Sequence, residues 1–123
     1  MQFAKWVFLA AGIYGFVVLT PLYVLEPAIS AQQGPVTHPE YFFGFVGCAL
    51  AFQLLFLIIA RDPVRLRPAM LAAIVEKVTF PAAVWPLFLQ GRAPAAVTAF
   101  STIDLFWGAL FAISWMRTRP AGG

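Results

Sequence analysis

The sequence predicts an all-α fold: an integral membrane four-helix bundle, N-in/C-in. Three observations carry that expectation. Of 123 residues, 62% are hydrophobic and 11% charged, with a mean hydropathy of +0.85, too little polar surface to cover a water-soluble globule of this size. Four apolar runs, at about 3–25, 41–60, 69–90 and 95–116, each approach the roughly 20 residues that a helical crossing needs, so that 1–123 reads as a single transmembrane domain. Near the ends of those runs, Lys5, Arg61, Arg65, Arg67, Arg117 and Arg119 fall on one side and Arg92 alone on the other. Basic residues collect on the cytoplasmic side, which puts both termini there and the loop 26–40 outside.

The first run, 3–25, is longer than the apolar core of a secretory signal and is expected to stay as a helix. Its Ala11 and Gly15, four residues apart, offer a small contact face to a neighbouring helix. The stretch 26–40, with Pro27, Pro35 and Pro39, is expected to be a long loop. Glu26, His38 and Glu40 in it are expected to form a solvated rim rather than a metal site. Gly44, Gly47, Cys48 and Ala51 suggest a small stripe for packing in the second helix, and Gln53 lies deep enough to need a hydrogen-bond partner on another helix. The run of arginines at 61–68 sets the orientation and can hold anionic headgroups.

The third helix carries Glu76 and Lys77 inside its apolar run, together with Pro81 and Pro86, which are expected to make its outer half irregular. Helical spacing groups Ala69, Ala72, Ala73, Glu76, Thr79 and Ala83 on one small-residue face, so Glu76 is expected to look inward, while Lys77 shares a face with Met70, Ile74 and Trp85. In the fourth helix Ser101, Asp104, Gly108, Phe111, Ala112 and Trp115 fall near one face, and Trp107 lies on its flank. An ionised group in hydrocarbon costs at least about 2.5 kcal/mol, so these charges should meet one another. At 1.5 Å per residue from the inner ends, Glu76 and Gln53 lie near about 10 Å, Lys77 near about 12 Å and Asp104 near about 18 Å, offsets that a lysine stem can bridge. Two acids and one base leave one carboxyl to hold a proton or to await a cation. The candidate ligand-binding residues are therefore Glu76, Lys77, Asp104, Gln53, Trp107 and Ser101, with no metal expected; the alternative is a polar knot that fixes helix register.

Composition also excludes functions. A chain filled by four crossings has no appended catalytic domain within it, and the lone Cys48 permits neither an intrachain disulfide nor CxxC redox chemistry. The formal charge of +3 and pI near 9.5 reflect topology, and no nucleic-acid partner is expected.

The Asp62-Pro63-x-Arg65-x-Arg67-Pro68 loop, the helix bearing Glu76 and Lys77, and the four-span layout resemble small, uncharacterised bacterial four-helix membrane proteins, loosely DoxX-like. That resemblance implies an inner-membrane location but names no activity or cofactor. A shorter likeness covers Asp62-Pro63, Pro68, Glu76, Phe80-Pro81 and Gly91, which are similar to a stretch of the EXPERA family of sterol isomerases and sterol- or amine-binding proteins. It implies that Glu76 would meet a ligand's amine or a developing cation, although in that family the stretch joins the first and second helices and here it joins the second and third. Three functions compete: a binder of a hydrophobic or amphiphilic molecule or lipid near Glu76 and Asp104, an accessory subunit of a larger membrane complex or homo-oligomer, and an EXPERA-like isomerase. The lipid bilayer is a partner in all three.

Overall fold

A computed structural model of the chain describes residues 2–33 and 37–119. Five helices follow one another: α1 (Gln2–Leu19), α2 (Leu22–Gln33), α3 (Pro39–Arg61), α4 (Ala69–Leu89) and α5 (Ala95–Arg117), and no strand occurs among the described residues. Four of them, α1, α3, α4 and α5, are long and apolar enough to cross a membrane, and the chain is a multi-pass membrane protein built as a helical bundle. The three later spans begin and end within two residues of the expected limits.

The expected first helix, 3–25, breaks at Thr20-Pro21. Pro21 has no N–H for the carbonyl of Val17, so the chain restarts there, with Val24 and Leu25 both donating to the Pro21 carbonyl. Most of the expected loop is also helical. Residues 22–33 contain one proline, Pro27, which α2 absorbs, and Ser30 Oγ donates to Glu26 Oε1 one turn back at 3.1 Å. Pro39 opens α3 in its first turn, where a missing N–H costs nothing, so two of the three prolines do not interrupt a helix where loop was expected. Residues 34–36, with Pro35, lie outside the described residues. At 12 residues, α2 is too short to span. Its Tyr23 ring stacks on Phe43 at 5.8 Å, which ties it to the start of α3.

The tightest pairings are α1 with α3 and α4 with α5; α1 also packs on α5, and α3 meets α4 more loosely. Each span buries one narrow stripe. In α1 it is Ala4, Val7, Phe8, Ala11, Gly12 and Gly15, so the expected Ala11 and Gly15 contact face is present. A Cβ on Gly15 would overlap the Gln53 side chain, which is why a glycine stands where α1 crosses α3. The expected stripe on α3 is not inside: Gly44, Cys48 and Ala51 are exposed, and Val46, Ala49, Gln53, Phe56, Ile59 and Ala60 are buried instead. On α4 the buried stripe is Met70, Ala73, Lys77, Pro81 and Val84, so the inward face is centred on Lys77, with Ala72, Thr79 and Ala83 exposed and Glu76 at its edge. The expected irregularity at Pro81 and Pro86 is absent, and α4 runs through both.

The core lies towards the end that holds the termini. Phe8, Phe56 and Phe111 from α1, α3 and α5 meet there, with Phe8 stacked on Phe111 at 4.3 Å and Phe56 edge-on to Phe111 at 4.9 Å, and Met70 and Ala73 join them from α4. At the far end α4 stops on a left-handed Gly91 (φ 73°), with Arg92 N–H bonded to the Leu87 carbonyl and Gly91 N–H to that of Phe88. The short turn that follows sends α5 back.

Two outcomes test this architecture. In a Cys48→Ala background, cysteines at the exposed positions Thr37 and Arg119 should label from opposite sides of the membrane, Arg119 from the cytoplasm. Gly15→Ala should destabilise the detergent-solubilised protein by about 1–3 kcal/mol through overpacking, whereas Gly44→Ala, with open space around it, should leave the melting temperature unchanged.

Candidate functional site

Lys77 sits at the middle of the buried stripe of α4, with its side chain 4% exposed. Its Nζ donates to Asp104 Oδ1 on α5 at 3.3 Å and stands 3.6 Å from Glu76 Oε2 on its own helix. The face of Phe56, with its ring centroid 5.3 Å away, closes the third side. Two carboxyls and an aromatic face thus surround one ammonium, the arrangement a cation needs where no water can solvate it. Close approach of α4 and α5 permits it: a Cβ on Gly108 would lie 3.3 Å from the Lys77 Cβ, so a larger residue there would push the helices apart.

The two carboxyls are not equivalent. Asp104 accepts the hydrogen bond, whereas Glu76 Oε2 is buried, lies beyond hydrogen-bonding distance of the ammonium and has no other partner among the described residues. Both acid side chains are 19% exposed, at the edges of their stripes rather than inside. Glu76 lines a groove between α3 and α4 of about 270 Å³, where it is the one charged residue. Phe45, Cys48, Ala49 and Phe52 form the α3 wall, and Thr79 and Phe80 complete the α4 wall. Phe45 and Phe80 stack at 5.7 Å across it. From Phe45 to Phe52 it extends about 10 Å along the bundle.

The other expected residues lie apart from the ion cluster. Ser101 is buried, but its hydroxyl donates to the Thr98 carbonyl of its own helix at 2.8 Å. Contrary to expectation, the Gln53 amide does not bond another helix: its Nε2 turns back to the Ala49 carbonyl at 2.8 Å, and Oε1 is buried against Gly15 without a partner among the described residues. Trp107 packs beside Tyr14 at 5.7 Å, its indole Nε1 likewise without an acceptor there. His38 Nδ1 and Glu40 Oε1 pair at 3.0 Å in an exposed position while Glu26 bonds Ser30, and no three metal-ligating side chains come together among the described residues. Sequence reasoning missed Phe56, Tyr14 and the groove. A signal for the groove existed in the helical spacing of Phe45, Cys48 and Phe52 against Glu76, Thr79 and Phe80.

No protein-family model, curated protein or solved structure matches the chain. Function must therefore be drawn from the site. What the arrangement can do is neutralise one cation permanently, with Lys77, and present a second carboxyl to the groove.

The asymmetry sets an order of stabilities. Asp104→Asn removes the acceptor of a buried ammonium and should cost about 3–5 kcal/mol; Glu76→Gln, which removes the longer contact, should cost clearly less. Chemical denaturation in detergent measures both, and equal losses would show that Lys77 leans on the two acids alike.

Proposed function

We propose that the protein binds an amphiphilic small molecule or lipid bearing a cationic or hydrogen-bond-donating head, in the α3–α4 groove with that head on Glu76. The single observation that supports this is Glu76, whose Oε2 has only a 3.6 Å ion contact with Lys77 and no hydrogen bond among the described residues, beside an apolar, Phe-lined groove in a region that hydrocarbon surrounds. Charge counting agrees: Glu76 and Asp104 together carry one more negative charge, when ionised, than Lys77 supplies. An amine brought in along the groove would complete the set, and an alkyl chain would lie against Phe45, Phe52 and Phe80. Ligand sites of this kind pair a largely apolar wall with a few placed polar groups. The resemblance to small bacterial four-helix proteins supports a location in the bacterial inner membrane, and the likeness to the EXPERA family points to the same carboxyl. An isomerase would use Glu76 as a general acid on a bound substrate, so conversion beyond binding is what would mark one.

Dodecylammonium in lipid nanodiscs is a suitable probe, with dodecanol and dodecyl sulfate as controls. Glu76→Gln should weaken dodecylammonium binding at least tenfold, a loss of about 1.4 kcal/mol, with little effect on dodecanol. Cys48→Trp, which fills the groove from an exposed position, should abolish both. Ala99→Trp, in a separate neutral groove between α4 and α5, should change neither. Unaltered dodecylammonium affinity in both Glu76→Gln and Cys48→Trp would refute the reading.

A further inference from the structure

We infer that the end of the bundle holding the termini carries a headgroup site for an anionic phospholipid, built on the stack of Arg67 against Trp115. It is independent of what occupies the α3–α4 groove. The Arg67 guanidinium carbon lies 3.4 Å from the centroid of the Trp115 ring, and Arg67 Nε donates to the Trp115 carbonyl at 2.9 Å. Stacking fixes the plane of the guanidinium and the Nε bond fixes its rotation within that plane. The four N–H groups on the two Nη atoms are left without an acceptor among the described residues. A planar fork held in this way matches two oxygens of one phosphodiester, which a lysine ammonium does not.

Charge at this end has no internal answer. Lys5, Arg61, Arg65, Arg67, Arg117 and Arg119 face one acid, Asp62, and none of the six is ion-paired among the described residues. Asp62 Oδ1 instead accepts from the backbone N–H of Arg65 at 3.4 Å. Arg117 lies over the Phe3 ring at 4.7 Å, so the ends of α1 and α5 bring further positive charge to the same level. Anions are drawn there by several cations, but only Arg67 is held in one orientation by two contacts.

The surface next to the clasp selects a lipid rather than a free anion. Leu71, four residues on from Arg67, is 50% exposed, and Val75 and Val78 continue the same helical face at 58% and 43%. Val78 passes close to Gly108 of α5, the helix that carries Trp115, so this apolar track runs beside the α4–α5 seam from the clasp towards mid-membrane. With the phosphate on Arg67, an acyl chain lies along Leu71, Val75 and Val78.

Native mass spectrometry and lipid titration of the detergent-solubilised full chain would test this with phosphatidylglycerol, phosphatidylcholine and inorganic phosphate. Phosphatidylglycerol should be retained at least tenfold better than phosphatidylcholine, and phosphate should neither bind measurably nor displace it at millimolar concentration. Arg67→Lys, which keeps the charge, and Trp115→Leu, which removes the stack, should each lose most of that preference. Arg65→Gln, which removes a charge but leaves the clasp, should stay within about twofold of the parent, and Arg92→Gln at the other end should have no effect. Helix content by circular dichroism guards against misfolding, and Arg67→Lys alone decides if Trp115→Leu fails to fold. Parent-like retention in Arg67→Lys, or a loss in Arg65→Gln as large as that in Arg67→Lys, would reduce the site to diffuse positive charge and overturn the proposal. Phosphate binding with the same variant pattern would replace the lipid by a free anion and overturn it equally.

Discussion

One ammonium in hydrocarbon governs this bundle. Lys77 stands inside the buried stripe of α4, and a lone charge there would cost at least about 2.5 kcal/mol, so the neighbouring helix must bring an acid to it. Asp104 does so across the α4–α5 seam, and Gly108 removes the side chain that would hold the two helices apart. Register follows from this pairing. Shifting α5 by one turn, about 5.4 Å, would withdraw Asp104 and set another residue beside Lys77. The aromatic trio of Phe8, Phe56 and Phe111 then packs just beneath, and Phe56 serves both arrangements, edge-on to Phe111 and face-on to the ammonium.

Lys77 and its two acids all belong to α4 and α5, while α1 and α3 close on each other through small residues and the neutral Gln53. The bundle is therefore two close helix pairs with a looser seam between α3 and α4. Small residues on the α3 side of that seam, Cys48 and Ala49, leave space that the flanking phenylalanines do not fill, and Glu76 borders it. The exposed Gly44, Cys48 and Ala51 make sense on this view: they keep one flank of α3 thin instead of packing it on a neighbour. A carboxyl on α4 can then be half-sheltered by Lys77 and still reach the groove.

Much of this was legible in the sequence, and the omissions share a cause. Hydropathy and helix length gave the four spans, and depth counting paired Lys77 with Asp104, because charged residues in hydrocarbon have few places to go. Apolar residues carry no such signal, since a lipid-facing Leu and a bundle-facing Leu are equally at ease. Faces were therefore assigned from small residues, which worked for Ala11 and Gly15 and failed for α4, where Ala72 and Ala83 face outward and the true stripe passes through Met70 and Lys77. Pro21 ended α1 because it interrupts a continuous hydrogen-bond ladder; Pro27 did not end α2, which shows that proline content alone is a poor guide to loop. Tyr14 and Trp107 met through a crossing of α1 and α5 that no local pattern encodes.

The two ends of the electrostatic picture are linked. At the roughly 10–18 Å that helical rise puts between the basic end and the two acids, and at an effective dielectric near 20, each uncompensated arginine interacts with a mid-membrane charge by about 1–1.7 kcal/mol before salt screens it. Such a field opposes any second cation brought near Glu76 and Asp104. Anionic headgroups seated on those arginines would cancel most of it, leaving the carboxyl beside the groove governed by its short-range neighbours, Lys77 and whatever enters between α3 and α4. Lipid composition at one end of the bundle would then tune cation affinity at its middle without any movement of a helix.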